Sequence, residues 1–116
     1  MRLGIILAYS SIYNKIFNRL NLKDKNCLFY VEDTIYSKGE YFFDTLKDDV
    51  NAVMYINQDD YIIDIVKSTV NNVLSKEIEK CNLPFESITI PFNMTKEILS
   101  KLENEINKFY KENKNE

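Results

Sequence analysis

Four short apolar runs, separated by longer amphipathic segments, place the strongest constraint on the fold of this chain. The runs cover residues 3–8, 27–31, 50–56 and 88–90. The first run contains no charged residue, which is typical of a strand buried on both faces of a sheet. Strands that alternate with helices favour parallel pairing through right-handed crossovers. The pattern therefore predicts an α/β domain with a four-stranded parallel sheet flanked by helices.

The segments between and after the apolar runs predict four helices. The first is expected over about residues 11–20, with its apolar residues at helical spacing, and the last begins after Pro91 with Asn93 or Thr95 as its N-cap. The third is the longest, and it is expected to follow Asp59 and Asp60 and to end near residue 80. Its apolar stripe consists of Ile62, Ile63, Val66, Val70, Val73, Leu74 and Ile78.

Residues 34–47 allow two interpretations. Thr34 and Ser37 offer the chemistry of a helix N-cap, whereas residues 37–40 could form a hairpin turn. The order of the flanking strands favours a helix, although Gly39 in its interior would cost about 1 kcal/mol relative to alanine. With a helix here, analogy predicts the strand order 2-1-3-4 of flavodoxin-like and CheY-like domains.

The chain has room for one domain. At 116 residues, with 45% hydrophobic and 28% charged residues, it should bury roughly two-thirds of the surface of its unfolded form. Residues 1–92 are expected to form the alternating α/β body. Residues 93–116 are expected to form a C-terminal amphipathic helix and a charged tail, either in the same domain or docked on a partner.

Composition disfavours several classes of function. The net charge of −3 provides no general field for nucleic acid, and the absence of histidine removes the commonest general base and metal ligand. Cys27 and Cys81 are too few for a disulfide scaffold and are interpreted as reduced thiols of a cytosolic protein. The first apolar run is shorter than a membrane span of ~20 residues, so no membrane insertion is expected.

Catalytic chemistry has weak support in the sequence. Asp59 and Asp60 follow the third strand, where response-regulator receivers carry a phosphoacceptor aspartate, but Tyr9 and Ser10 stand where a receiver needs a magnesium-binding acidic pair. No glycine follows the first strand to form a phosphate site. Cys27 opens a strand instead of following one, which favours a packing role. We therefore expect no catalytic, cofactor or metal site.

The C-terminal helix carries an apolar seam with 3-4-3 spacing. Its members are Leu99, Leu102, Ile106 and Phe109. Such a seam could cover the sheet as part of the core, or it could lie along the coiled coil of a partner. Sequence alone leaves both arrangements open.

Four segments, read in order, resemble the F subunit of eukaryotic V-type ATPases. They are Val31-Glu32-Asp33-Thr34-Ile35, Lys47-Asp48-Asp49-Val50, Met54-Tyr55-Ile56-Asn57-Gln58 and Ile88-Thr89-Ile90-Pro91. The family has comparable segments after strand two, at the turn into strand three and at the ends of strands three and four. The resemblance covers nearly the whole chain. It departs from the family at Leu7-Ala8, at Asn14-Lys15 and at Phe92, as a divergent member would.

The resemblance implies a non-catalytic component of the central stalk of a proton-pumping rotary ATPase. Its partners would be the coiled coil of the stalk's D subunit, the catalytic hexamer of A and B subunits, and the small-d component of the membrane sector. Its place would be the cytoplasmic face of an acidified organelle membrane, as part of a peripheral complex. The expected partner-facing residues are the seam Leu99, Leu102, Ile106 and Phe109, followed by Asp33, Thr34, Asn57 and Gln58.

Two other classes of function stay open at this stage. One is a receiver-like or nucleotide-binding enzyme domain, which the fold class alone would allow. The other is a free-standing adaptor that binds an unrelated coiled coil.

Overall fold

A mostly parallel sheet with helices on its faces forms the body of the protein. The computed structural model describes residues 1–22, 25–68 and 72–114. The strands found there are β1 (Leu3–Leu7), β2 (Cys27–Val31), β3 (Ala52–Asp59), β4 (Val66–Lys67) and β5 (Phe85–Pro91). The helices are α1 (Ser10–Lys15), α2 (Glu32–Lys38), α3 (Glu40–Asp49), α4 (Asn72–Lys80) and α5 (Lys96–Glu112), and a 3-10 turn (Phe17–Arg19) follows α1.

The strand order is β2-β1-β3-β5-β4. The first four strands of this order pair in parallel, with Ile56 of β3 opposite both Leu7 of β1 and Ile88 of β5. The predicted α/β class is confirmed, and the four predicted strands stand in the predicted order. The expectation of a purely parallel, four-stranded sheet is wrong, because β4 adds a short antiparallel strand at the edge beside β5.

The helix predicted from about residue 59 to residue 80 is wrong in its first half. Strand β3 continues to Asp59, and Val66 pairs with Thr89 in the sheet. Residues 60–65 form turns and bends that lead from β3 to β4. Ile62 and Ile63 are β-branched, which slightly lowers helix propensity even where the spacing of residues imitates a helix. Among the described residues of this segment, α4 buries only Leu74 and Ile78. Val70 of the predicted stripe lies outside the described residues.

Residues 34–47 are helical, so the choice of helix over hairpin is confirmed. The helix starts earlier than predicted, at Glu32, and it is divided into α2 and α3 at Gly39. Gly39 has φ = 63° and ψ = −144°, a conformation that residues with a Cβ rarely adopt. The glycine that lowered the expectation of a helix therefore marks a bend between two helices.

Replacement of Gly39 by alanine should reduce the free energy of unfolding by about 1–3 kcal/mol, because the backbone would be strained at this φ. An added Cβ would meet no atom within 4 Å, so strain and not crowding should set the loss. Urea unfolding of Gly39→Ala beside Lys38→Ala, an exposed position on α2, checks this expectation. Equal stabilities of the two variants would contradict it.

Other element boundaries differ from the predicted ones by a few residues. The predicted first helix corresponds to α1 and the 3-10 turn, and the strands predicted at 50–56 and 88–90 correspond to the longer β3 and β5. Every residue of β1 is buried, as its continuous apolar run predicts.

Helix α5 packs on the body of the protein. Leu102 and Ile106 have no exposed surface, and Leu99 and Phe109 are also buried in the common core. Polar contacts hold the same helix, because the Tyr110 hydroxyl donates to the carbonyl oxygen of Met1 at 3.3 Å. None of the described helices is long and apolar enough to cross a membrane.

Candidate docking surface at the carboxyl edge of the sheet

Three exposed aromatic side chains lie where the parallel strands end. Tyr9 follows β1, Tyr61 follows β3 and Phe92 follows β5. Their exposed fractions are 57%, 94% and 55%, respectively. Because the carboxyl ends of parallel strands meet at one edge of a sheet, these residues form one surface, which we call the aromatic rim (Tyr9, Tyr61 and Phe92).

The aromatic rim borders a cleft of about 360 Å³. The lining is completed by Ser11 and Lys15 of α1 and by Gln58, Asp59 and Asp60, at and just after the end of β3. Two carboxylates against one ammonium group give this cleft an acidic balance. The combination of exposed rings and acidic groups suits a partner that carries both apolar and basic side chains.

Phe92 is held in place by the end of β3. The amide nitrogen of Gln58 (Nε2) donates to the carbonyl oxygens of Pro91 and Phe92, at 3.3 and 3.4 Å. The backbone N–H of Phe92 donates to the carbonyl oxygen of Asp59 at 3.2 Å. On its other side, Nζ of Lys15 lies 5.7 Å from the centre of the Phe92 ring. With its backbone fixed in this way, Phe92 has only its side-chain rotamer left to order when a partner covers the ring.

The carboxylate of Asp59 is already engaged in the turn that follows β3. Its Oδ1 accepts a hydrogen bond from the backbone N–H of Tyr61 at 2.8 Å. The neighbouring strand β1 presents Tyr9 and Ser10 at this edge, where a receiver domain would place acidic ligands for magnesium. Within the described residues, no group of three or more acidic or cysteine side chains is arranged to hold a metal ion.

The chain matches none of the protein-family models, curated proteins or solved structures with which it was compared. The geometry of this edge and the resemblance in the sequence are therefore the grounds for a function.

A second polar cluster lies at the end of β2. The hydroxyl groups of Tyr36 and Tyr55 both donate to Oε1 of Glu32, each at 3.3 Å. Burial raises the pKa of Tyr55 well above its ordinary value of 10.0, and the Glu32 carboxylate adds to this effect. Burial and Glu32 raise the pKa of Tyr36 in the same direction.

The raised pKa of Tyr55 predicts a loss of stability at alkaline pH. In the unfolded chain the phenol ionises near its ordinary value of 10.0, whereas in the folded protein it stays neutral to higher pH. Its contribution is therefore complete below pH 10 and declines as pH rises above that value. We expect the urea midpoint to fall less steeply above pH 10 in Tyr55→Phe than in the native protein. Parallel pH profiles would contradict this account, and Tyr41→Phe, at a position that is 70% exposed and outside this cluster, provides the comparison.

The residues predicted for partner binding fall into two groups. Asp33 and Thr34 are exposed in the first turn of α2, and Asn57 and Gln58 are half-buried near the end of β3, so both pairs lie toward the carboxyl edge. Strand β1 separates β2 from β3, which places the two pairs about 10 Å apart across the sheet. The seam Leu99, Leu102, Ile106 and Phe109 instead faces the interior, in the core arrangement that the sequence had left open. A partner could reach it only if α5 left the sheet.

Sequence reasoning missed the aromatic rim. Each of its three residues lies one or two positions after the end of a strand, which is a signal that the sequence contains. Local spacing places Tyr61 in a helix and makes the aromatics look scattered, because no rule of local spacing links positions 9, 61 and 92.

Proposed function

We propose that this chain is a non-catalytic component of the central stalk of a V-type proton-pumping ATPase. In this role it binds the coiled coil of the D subunit and helps to couple ATP hydrolysis in the hexamer of A and B subunits to proton transport. The observation that carries the proposal is the aromatic rim, which offers an adhesive surface at the edge where sheets of this kind commonly bind a ligand.

The positions of the resembling segments support the proposal. Residues 31–35 lie at the junction of β2 and α2, and residues 47–50 lead out of α3 toward β3. Residues 54–58 belong to β3, and residues 88–91 close β5. The family has its comparable segments after strand two, before strand three and at the ends of strands three and four. The order of these elements agrees with the order that the resemblance expects, and the proposal relies on that agreement.

The chemistry of the aromatic rim favours a protein partner. Exposed tyrosine and phenylalanine side chains are typical anchors of protein interfaces, because each buries a large area with few rotatable bonds. Asp59 and Asp60 beside them would pair with basic side chains, which coiled coils present next to their apolar seam. We therefore place the contact with the D subunit at the aromatic rim. Gln58 lies within this contact, and Asp33 and Thr34 lie farther along the same edge.

Docking at the aromatic rim requires no rearrangement of the fold. Docking through the seam of α5 would first expose Leu102 and Ile106, which are completely buried. Removing such side chains from a core costs about 1.5–3 kcal/mol each before any partner contact forms. We therefore expect the D subunit to contact the aromatic rim first. The stalk would place the chain on the cytoplasmic face of an acidified organelle membrane, with the small-d component of the membrane sector as its neighbour toward the proton ring.

Calorimetric titration with the recombinant coiled coil of the D subunit tests the proposal. The double variant Tyr61→Ala/Phe92→Ala should bind about 30-fold to 1000-fold more weakly than the native protein, since two anchor truncations together remove about 2–4 kcal/mol. Both side chains are largely exposed, so the circular dichroism should stay native. Tyr41→Ala is the matched control, because Tyr41 is exposed on α3 and does not line the cleft. Undiminished binding by the double variant would contradict the proposal.

A receiver-like enzyme domain is the second candidate, and the position of Asp59 at the end of β3 is the observation that favours it. Incubation with acetyl phosphate and magnesium distinguishes the two functions. A phosphoryl group on Asp59 would support the receiver, whereas a stalk component should show none. Binding to a coiled coil unrelated to rotary ATPases would support the third class, a free-standing adaptor.

A further inference from the structure

Strand β2 forms an open edge of the sheet. It stands at one end of the strand order, and no described strand pairs with its outer side. The opposite end is β4, a strand of only two residues that includes Lys67. Very short edge strands and edge lysines are common protections against pairing with another chain. Strand β2 has five residues, Cys-Leu-Phe-Tyr-Val, with no charge, proline or glycine, so it lacks these protections.

The direction of the backbone N–H and C=O groups of β2 follows from its pairing with β1. Leu3 lies opposite Cys27, and the N–H of Leu3 donates to the carbonyl oxygen of Asn26 at 2.9 Å. In a parallel pair one strand alternates between residues that bond to its neighbour and residues that point away. The N–H and C=O groups of Cys27, Phe29 and Val31 therefore point outward from the sheet.

Aromatic contacts hold the strand from both faces. The Phe29 ring lies 5.0 Å from the ring of Tyr13 and 5.1 Å from that of Phe17, in edge-to-face geometry. On the other face, the Tyr30 ring lies 5.1 Å from that of Phe42. An edge fixed in this way is preorganised for another strand, because little further order has to be imposed on binding.

The edge is complementary to itself. If two copies meet antiparallel with Phe29 opposite Phe29, each Cys27 faces Val31 of the other copy. These are hydrogen-bonded pairs, and together they satisfy every outward N–H and C=O group of the three residues. Lys25 precedes β2 and Asp33 lies in the first turn of α2 after it, so an antiparallel arrangement places Lys25 of each copy at the same end of the pairing as Asp33 of the other.

We propose that two copies of this chain associate through their β2 strands, joining two five-stranded sheets into one about a two-fold axis at Phe29. The occupant of the edge is a second copy because both the hydrogen-bond register and the end charges are self-complementary. The stalk role proposed above neither requires this dimer nor depends on it, so one proposal can fail while the other holds.

An engineered disulfide tests the proposed register of the two β2 strands. Hydrogen-bonded antiparallel pairs have Cα atoms about 5.5 Å apart, within the range of ~4.4–6.8 Å that a disulfide spans. After mild oxidation, Val31→Cys should give a covalent dimer through Cys27 of the other copy. The double variant Cys27→Ser/Val31→Cys should give none. Equal cross-linking of the two variants, or products larger than a dimer, would overturn the proposed register.

Sedimentation equilibrium tests the association itself, with substitutions that leave the hydrophobic core unchanged. The native protein should show a concentration-dependent monomer–dimer equilibrium. Lys25→Glu should weaken it by about twofold to fivefold, as loss of a surface charge pair would, and Lys25→Glu/Asp33→Lys should restore it. A native protein that stays monomeric at every concentration, together with no cross-linking of Val31→Cys, would refute the dimer.

Discussion

The double variant Leu102→Asp/Ile106→Asp is expected to unfold, and not merely to lose a partner. Both side chains are completely buried, and truncation of a buried leucine or isoleucine to alanine already costs about 2–5 kcal/mol. Aspartate adds the cost of a buried carboxylate without a partner. The sum equals or exceeds the whole stability of a typical domain, about 5–15 kcal/mol. Far-ultraviolet circular dichroism and urea unfolding measure the outcome.

Asn104→Asp is the matched control for this variant. Asn104 is exposed on the same helix, so a new carboxylate there should change the free energy of unfolding by no more than about 0.5 kcal/mol. If the double variant instead kept native circular dichroism and native stability, α5 would not belong to the core. That result would favour the alternative in which the seam faces the coiled coil of a partner.

Phe17→Ala should be the most damaging single substitution near the β2 edge, with a loss of about 3–5 kcal/mol in the free energy of unfolding. Phe17 is only 6% exposed and lies in the 3-10 turn after α1. Its ring meets that of Phe29 edge-to-face at 5.1 Å, which connects this turn to β2. Truncation to alanine would leave a cavity and would also remove the ring contact between this turn and β2. Denaturant unfolding at neutral pH gives the value directly.

Tyr13→Ala provides the comparison, because Tyr13 belongs to the same aromatic group but is 41% exposed. Its ring also contacts Phe29, at 5.0 Å. The partial exposure predicts a loss of about 1–2 kcal/mol, since less apolar surface returns to water. Equal losses for the two variants would mean that the contact with Phe29, and not burial of the ring, determines the stability of this region.

The parallel strands could be predicted correctly because the signal for each of them is local in the sequence. The first run, residues 3–8, is apolar throughout, and burial on both faces is the simplest condition that such a run satisfies. Alternation with helices predicted the parallel pairing, whereas the strand order was predicted by analogy with flavodoxin-like and CheY-like domains. Strand β4 could not be predicted in the same way, because Val66 and Lys67 form a strand only by pairing with Thr89 and Ile88. Their own sequence, with apolar residues three and four apart, also fits a helix.

The candidate site was harder to predict than the fold. The aromatic rim joins Tyr9, Tyr61 and Phe92, which are far apart in the sequence and meet only because β1, β3 and β5 end at one edge. The seam of α5 shows the opposite difficulty. Its 3-4-3 spacing is equally compatible with a core and with a coiled-coil contact, and only packing against the sheet distinguishes them. The spacing of residues along a helix gives the direction of a face but not the identity of what covers it.

Purification of the tagged chain from its own cells tests the proposed membership of a rotary ATPase stalk most directly. Under conditions that keep peripheral complexes intact, the account predicts recovery of the A, B and D subunits of a V-type ATPase in fixed proportion with the chain. The Tyr61→Ala/Phe92→Ala variant should recover much less of all three. Recovery of the native chain without any component of a rotary ATPase would contradict the account.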